Sequence, residues 1–140
     1  MPFTDCPFIK FRPDDIERAI LPIQIINPHA NKIIQTIGII DTGADECAVP
    51  AAMAAQLGHN LLSGTTKTIS TGNGAATAYA HTTSFKMIHP ISFKIMHTTN
   101  ETPIDFMPNL HVVLLGVKSF LSDFILNIDY PQKKFSITRP

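Results

Sequence analysis

The chemistry in this chain concentrates in five residues, Asp41-Thr42-Gly43-Ala44-Asp45, which follow the apolar pair Ile39-Ile40. An apolar run that ends on an acid, a small hydroxyl and a glycine presents a carboxylate on a sharp turn. The motif occurs once, so one chain offers one such carboxylate. Paired-acid chemistry would need a partner for it. Two carboxylates at short range cannot both ionise cheaply, so they share a proton. The charged member then activates a water and the protonated member donates to a carbonyl oxygen, with no covalent intermediate. A blander use fits the same residues: Asp41 caps its own turn, and Asp45 with Glu46 solvates the turn or favours a following helix.

Other chemistries lack their residues. His29, His59, His81, His89, His97 and His111 show no ligand spacing with cysteines or acids, so neither a metal nor another cofactor is expected. Ser63, Ser70 and Ser84 lack the context of a nucleophile elbow. Gly72-Asn73-Gly74 is too short for a phosphate loop, and no Gly-Lys-Ser/Thr follows it. Lysine plus arginine and aspartate plus glutamate balance at 11 each, without a dense basic patch, so nucleic acid is not an expected partner.

A chain of 140 residues, 44% apolar, is large enough for one domain with a real core. No apolar run is long enough to span a bilayer, and no membrane partner is expected. Met1-Pro2-Phe3-Thr4-Asp5 does not open a signal peptide, which favours the cytoplasm. Cys6 and Cys47 are too few for a disulfide framework. Two free thiols are expected, with Cys47 buried beside the acidic turn.

The elements that must position Asp41 read as mainly β. Residues 1–19 stand apart as an extension or edge segment, with a short edge strand over 8–11 and a helical turn over 13–19. Strands follow over 20–26 and 33–40, joined by the turn 27–32. Pro50 to Gly58 has the proline start, alanine interior and glycine end of a short helix. Strands over 67–71 and 75–84 flank Gly72-Asn73-Gly74, a hairpin signal whose tip carries few large apolar residues and so projects from the core. The hairpin is either a lid or an ordinary turn. Further strands are expected over 85–95, interrupted at His89-Pro90, over 110–115, 125–130 and 134–137, with a second short helix over 118–124. Ile39-Ile40-Asp41-Thr42-Gly43 and Leu114-Leu115-Gly116 echo one another, as the two halves of a pseudo-twofold fold would.

Asp41-Thr42-Gly43-Ala44-Asp45, the glycine-tipped hairpin at 71–75 and Val113-Leu114-Leu115-Gly116 occur in an order that resembles the retropepsin-like aspartic proteases. The resemblance covers about residues 20–138. It implies a retropepsin-like closed β fold with pseudo-twofold halves, a flap hairpin and two short helices. It also implies a homodimeric aspartic endopeptidase in which each subunit supplies one catalytic Asp41, with an optimum near pH ~4–6. Thr42 resembles the hydroxyl that grips its symmetry mate, and Gly43 the residue that lets a substrate backbone approach. Asp45 resembles the one that receives substrate amides or ties down the turn. Ala44, Ala48, Val112 and Leu114 match positions that line side-chain subsites, and Thr71, Gly72, Asn73 and Gly74 match the flap. An extended peptide or protein is the implied substrate. The alternative is a catalytically silent domain of the same fold that binds peptide or protein. The chain departs from the retroviral pattern at Gly116-Val117-Lys118, where an arginine would pair with the second acid. Lys118 is the available substitute, without the rigid fork of arginine.

Overall fold

The computed structural model describes residues 2–140. Among the described residues, thirteen strands carry the fold. They are β1 (Pro2–Pro7), β2 (Ile9–Lys10), β3 (Glu17–Arg18), β4 (Ile20–Asn27), β5 (Lys32–Ile40), β6 (Ala48–Pro50) and β7 (Thr65–Thr71). The remainder are β8 (Gly74–Ile88), β9 (Ile95–Thr98), β10 (Thr102–Met107), β11 (Val113–Leu115), β12 (Ile125–Asp129) and β13 (Lys134–Thr138).

The large sheet runs in the order β10-β6-β11-β5-β4-β8-β7, and β8 also pairs with β10 and β9. It is mixed: β11 lies parallel to β5 and β10 parallel to β6, while the other pairings are antiparallel. β4 and β5 form the expected hairpin, in register from Ile20↔Ile39 to Asn27↔Lys32. Along β4 the side chains of Leu21, Ile23 and Ile25 are buried while Pro22, Gln24 and Ile26 are half-buried, the period-2 pattern of a strand with one core face. Pro22 sits just before the stretch Ile23–Ile26 that pairs with β8, where its missing N–H interrupts no ladder on that side.

A second sheet is β1-β13-β12. Phe3 and Cys6 of β1, with Phe8 just after it, are buried in the same core as Phe85, Phe106, Phe120 and Phe135. β1 pairs with β13 through Phe3↔Ile137 and Cys6↔Phe135, so β13 has a neighbour on each side. Residues 11–16, expected in part as a helical turn, form the link of the small β2–β3 hairpin, closed by the Asp15 N–H on the Arg12 carbonyl at 3.0 Å.

Two further expectations change. Among the described residues there is no α-helix. The segments expected to be helical each hold one 3-10 turn, Ala51–Met53 and Leu121–Asp123, and a third lies at Leu61–Ser63. Nucleating an α-helix needs several residues free of other obligations. Pro50 belongs to β6, and the chain closes again at Gly58 (φ 75°), where the His59 and Gly58 amides reach the carbonyls of Ala54 and Ala55. That is a Schellman stop two turns after the start. After Gly116, the amides of Leu121 and Ser122 reach back five residues to Gly116 and Val117, a wider loop than an α-helix allows. Second, the strand expected over 110–115 is only Val113–Leu115, whereas β8 runs unbroken from Gly74 to Ile88.

A polar cluster fixes the approach to β7. Asn27, buried, donates through Nδ2 to the Leu57 carbonyl (2.7 Å) and contacts His59 Nδ1 (3.4 Å). His59 Nε2 meets Thr83 Oγ1 at 3.4 Å, and that hydroxyl donates to the His81 carbonyl at 2.9 Å. The two imidazoles stack at 4.7 Å, and the edge of each meets Phe106. With an amide donor at Nδ1, this wiring suits neutral His59. Burial, then the His81 and His29 charges, hold its pKa below the usual value, and burial first does the same for His97.

Two outcomes follow. Phe3→Ala removes a fully buried ring and should cost about 3–5 kcal/mol in chemical denaturation, although Phe3 lies in the segment that the sequence sets apart. A histidine whose folded pKa is lowered binds fewer protons folded than unfolded, so stability falls as pH drops from about 6.5 toward the folded value. The thermal midpoint should decline over that window, and His59→Gln should decline less steeply. Equal slopes would place the effect elsewhere.

Candidate active site

Asp41 follows the last residue of β5. Its amide donates to the Leu115 carbonyl at 3.1 Å, at the end of the parallel β5–β11 pairing. Its Oδ1 accepts the Gly43 amide at 2.9 Å, and its carbonyl accepts the Ala44 amide at 3.2 Å. The acid therefore does cap its own turn, as the bland use supposes. A Cβ on Gly43 would stand 3.3 Å from Asp41 Oδ1, closer than side-chain carbons ordinarily come. Glycine here leaves the carboxylate its room.

The loop after β11 locks this turn. Val117 and Lys118 amides donate to the carbonyls of Ala44 (3.0 Å) and Asp45 (2.8 Å), and the Gly116 amide contacts Cys47 Sγ at 3.4 Å. A Cβ on Gly116 would fall 2.3 Å from the Glu46 carbonyl oxygen. Cys6 and Cys47 are unbridged and buried, and burial pushes the Cys47 thiol up to about 11. That thiol is a packing group and not a nucleophile.

A cleft of about 650 Å³ opens over the turn. Of the residues singled out from sequence, Asp41, Gly43, Ala44, Asp45, Ala48, Gly72 and Leu114 line it. Thr42 is exposed, and Val112 is half-buried; neither is among the described lining residues. Gly72 and Asn73 form the turn between β7 and β8, whose left-handed residue is Gly74 (φ 108°). The Thr71 side chain lies outside what the structure describes. Around Gly72 and Gly74 a Cβ would meet nothing within 4 Å, so the tip stands in open space.

Sequence reasoning missed one wall of the cleft. Lys67 on β7 bridges Glu46 Oε2 at 2.8 Å and Asp105 Oδ2 at 3.1 Å. Asp105, on β10, is only 3% exposed, and burial holds its carboxyl above the usual range. The Lys67 hydrogen bond holds Glu46 below it. Lys118 does not reach Asp45: its ammonium lies 3.8 Å from Glu46 Oε1. The signal for Lys67 was its position in the hairpin strand. Asp105 gave none, lying in Thr102-Pro103-Ile104-Asp105, where a proline and an acid hide a strand. Ile69 and Met107 add an apolar wall beside Ala48 and Leu114.

Among the described residues no group of histidines, cysteines and acids could hold a metal ion, and no helix is long and apolar enough to cross a membrane.

This mixed β architecture, with an Asp-Thr-Gly turn under a hairpin, is that of the retropepsin-like aspartic proteases. A retropepsin-like aspartic protease from Rickettsia conorii superposes with a TM-score of 0.60, at 22% identity over 96% of each chain, a likeness of fold. Residues 30–123 match the model of the gag-polyprotein putative aspartyl protease family, and the chain belongs to that family. No curated protein matches the chain by sequence.

Gly116→Ala should be the most damaging single methyl in the site. Backbone oxygens cannot yield 2.3 Å contacts without moving the Asp41 turn. The expected cost is about 2–4 kcal/mol, read as a fall in thermal midpoint on the order of 10 °C. An unchanged midpoint would mean that the two loops are free to separate.

Proposed function

We propose that this chain is an aspartic endopeptidase that works as a homodimer, each subunit supplying one Asp41. The observation that carries the reading is the placement of a half-buried carboxylate on the floor of a 650 Å³ cleft, on a turn fixed from β11 and kept open by Gly43. In the dimer, two Asp41 carboxyls share one proton. The charged member takes a proton from a water whose oxygen adds to the peptide carbonyl carbon. The protonated member gives its proton to the carbonyl oxygen. Collapse of the resulting diol breaks the C–N bond: the proton taken from water passes to the leaving amine, and a diol hydroxyl returns its proton to the other carboxyl, which restores the shared proton. The pair titrates as a unit.

Thr42, exposed in the single chain, is the side chain left to bond across the two-fold axis. The β7–β8 hairpin closes over an extended peptide and excludes water, with Gly72, Asn73 and Gly74 at its tip and Thr71 at its shoulder. Ala44, Ala48 and Leu114, with Ile69 and Met107, favour aliphatic side chains, and Asp45 receives backbone amides. The self-capped Asp41 would serve equally in a peptide-binding domain that does not cut, and the experiment separates the two.

A peptide library cleaved between pH 3.5 and 7.5, with Asp41→Asn alongside, is the test. The expected profile is highest near pH ~4–6 with cleavage lost in the variant. Cleavage that survives Asp41→Asn removes Asp41 from the chemistry. Binding without cleavage by the wild type favours the silent domain.

A further inference from the structure

We propose that Lys67 is a positioning residue, whose bridge between Glu46 and Asp105 sets the posture of the β7–β8 hairpin over the cleft. Its place in the register makes the case. β8 pairs with β10 from Tyr79↔Phe106 to Thr83↔Thr102, so that stretch is embedded in the sheet. From Ala78 toward the tip, β8 has β7 as its paired strand. Lys67 pairs with Ala78, the first residue past the embedded stretch. The ammonium therefore lies at the root of the projecting arm.

The two acids it reaches belong to the other walls of the cleft. Asp105 is fixed between Ala48 of β6 and Ala80 of β8 in register, and is almost fully buried. Its carboxylate pairs with Lys67 and also meets the Glu46 carboxyl. Glu46 is on the turn that carries Asp41, two residues before β6. One side chain thus joins hairpin, catalytic turn and sheet. Lys118, also on Glu46 but 70% exposed and 3.8 Å away, is the looser contact. Beyond Lys67, the arm rests on a small apolar cluster of Ile69, Ala76 and Ala78 with Ala48, Met107, Leu110 and Leu114. That cluster is too slight to set the angle alone, because three of its seven side chains are alanine. Lys67 also holds the Glu46 carboxyl below the usual carboxylate range.

The inference rests on the peptidase reading for its consequence, but not for its test. Hydrogen exchange is measured on the full chain for wild type, Lys67→Arg, Lys67→Met and Lys67→Met/Asp105→Asn. The double variant removes the buried carboxylate that the single one leaves uncompensated. Expected is exchange about tenfold faster at residues 65–71 and 74–78 in the double variant, with β4 and β5 unchanged and Lys67→Arg close to wild type. Where the wild type cleaves peptide, the double variant should lose about tenfold in kcat/KM, chiefly through KM. A double variant with wild-type exchange in the hairpin overturns the proposal, whether or not the protein proves to be a peptidase. So does one that regains wild-type kcat/KM once Asp105 is neutral, because Lys67 would then only balance a buried charge.

Discussion

The close crossing of two loops, with the Gly116 backbone laid against the carbonyls of Ala44 and Glu46, governs the rest of this structure. No side chain fits between them, so the hydrogen bonds Asp41 to Leu115, Val117 to Ala44 and Lys118 to Asp45 form directly from backbone to backbone. Such contacts have little slack, because peptide geometry fixes their spacing. The parallel pairing of β5 with β11 brings the loops together, and Gly38 allows that pairing its closeness: a Cβ there would stand 2.9 Å from Leu115 Cγ. Two glycines far apart in sequence thus set where one carboxylate points.

The pH terms in this molecule oppose one another. Chemistry by a shared proton between carboxyls belongs to acid solution. Asp105, with its carboxyl held high by burial, gains stability as pH falls through its folded pKa, since the folded chain then binds the proton more readily. Glu46, held low by Lys67, loses stability as pH falls through its own lowered value. His59 and His97 lose theirs earlier, as pH drops below the ordinary histidine range. The histidine cluster at the foot of β7 is therefore stressed under the conditions that suit the proposed reaction.

Much of this was legible because it is local. The turn at Asp41, the β4–β5 hairpin and the glycine-bearing tip of β7–β8 are written in a few adjacent residues, where backbone preference and period-2 burial agree. The helices were misread for the same reason: Pro50, a run of alanines and Gly58 have the local grammar of a helix, but β6 claims the proline and the Schellman stop follows at once. What could not be read depends on distant partners. Asp105 looks like a surface acid until Lys67 and the neighbours Ala48 and Ala80 are placed around it. Lys118 looked like the substitute for an arginine on Asp45, yet its backbone takes that contact and its ammonium goes to Glu46. Phe3 and Cys6 belong to the core only because β13 returns beside them.

That return bears on how a second chain would complete the site. β13 is flanked by β1 on one side and β12 on the other, both from the same chain. Its ladder groups are therefore used within one subunit, and a partner could insert a strand there only by displacing β12 or by displacing β1 with the buried Phe3 and Cys6. Displacing a fully buried phenylalanine is expensive, about 3–5 kcal/mol. In the proposed dimer the two-fold contacts therefore fall to the exposed Thr42 turn and to the outer edges of β1 and β12. Such an association is built on less shared sheet than an interleaved one. The fold spends its terminal strands on its own core, and the proposed pairing of two Asp41 carboxylates must be held by what remains around them.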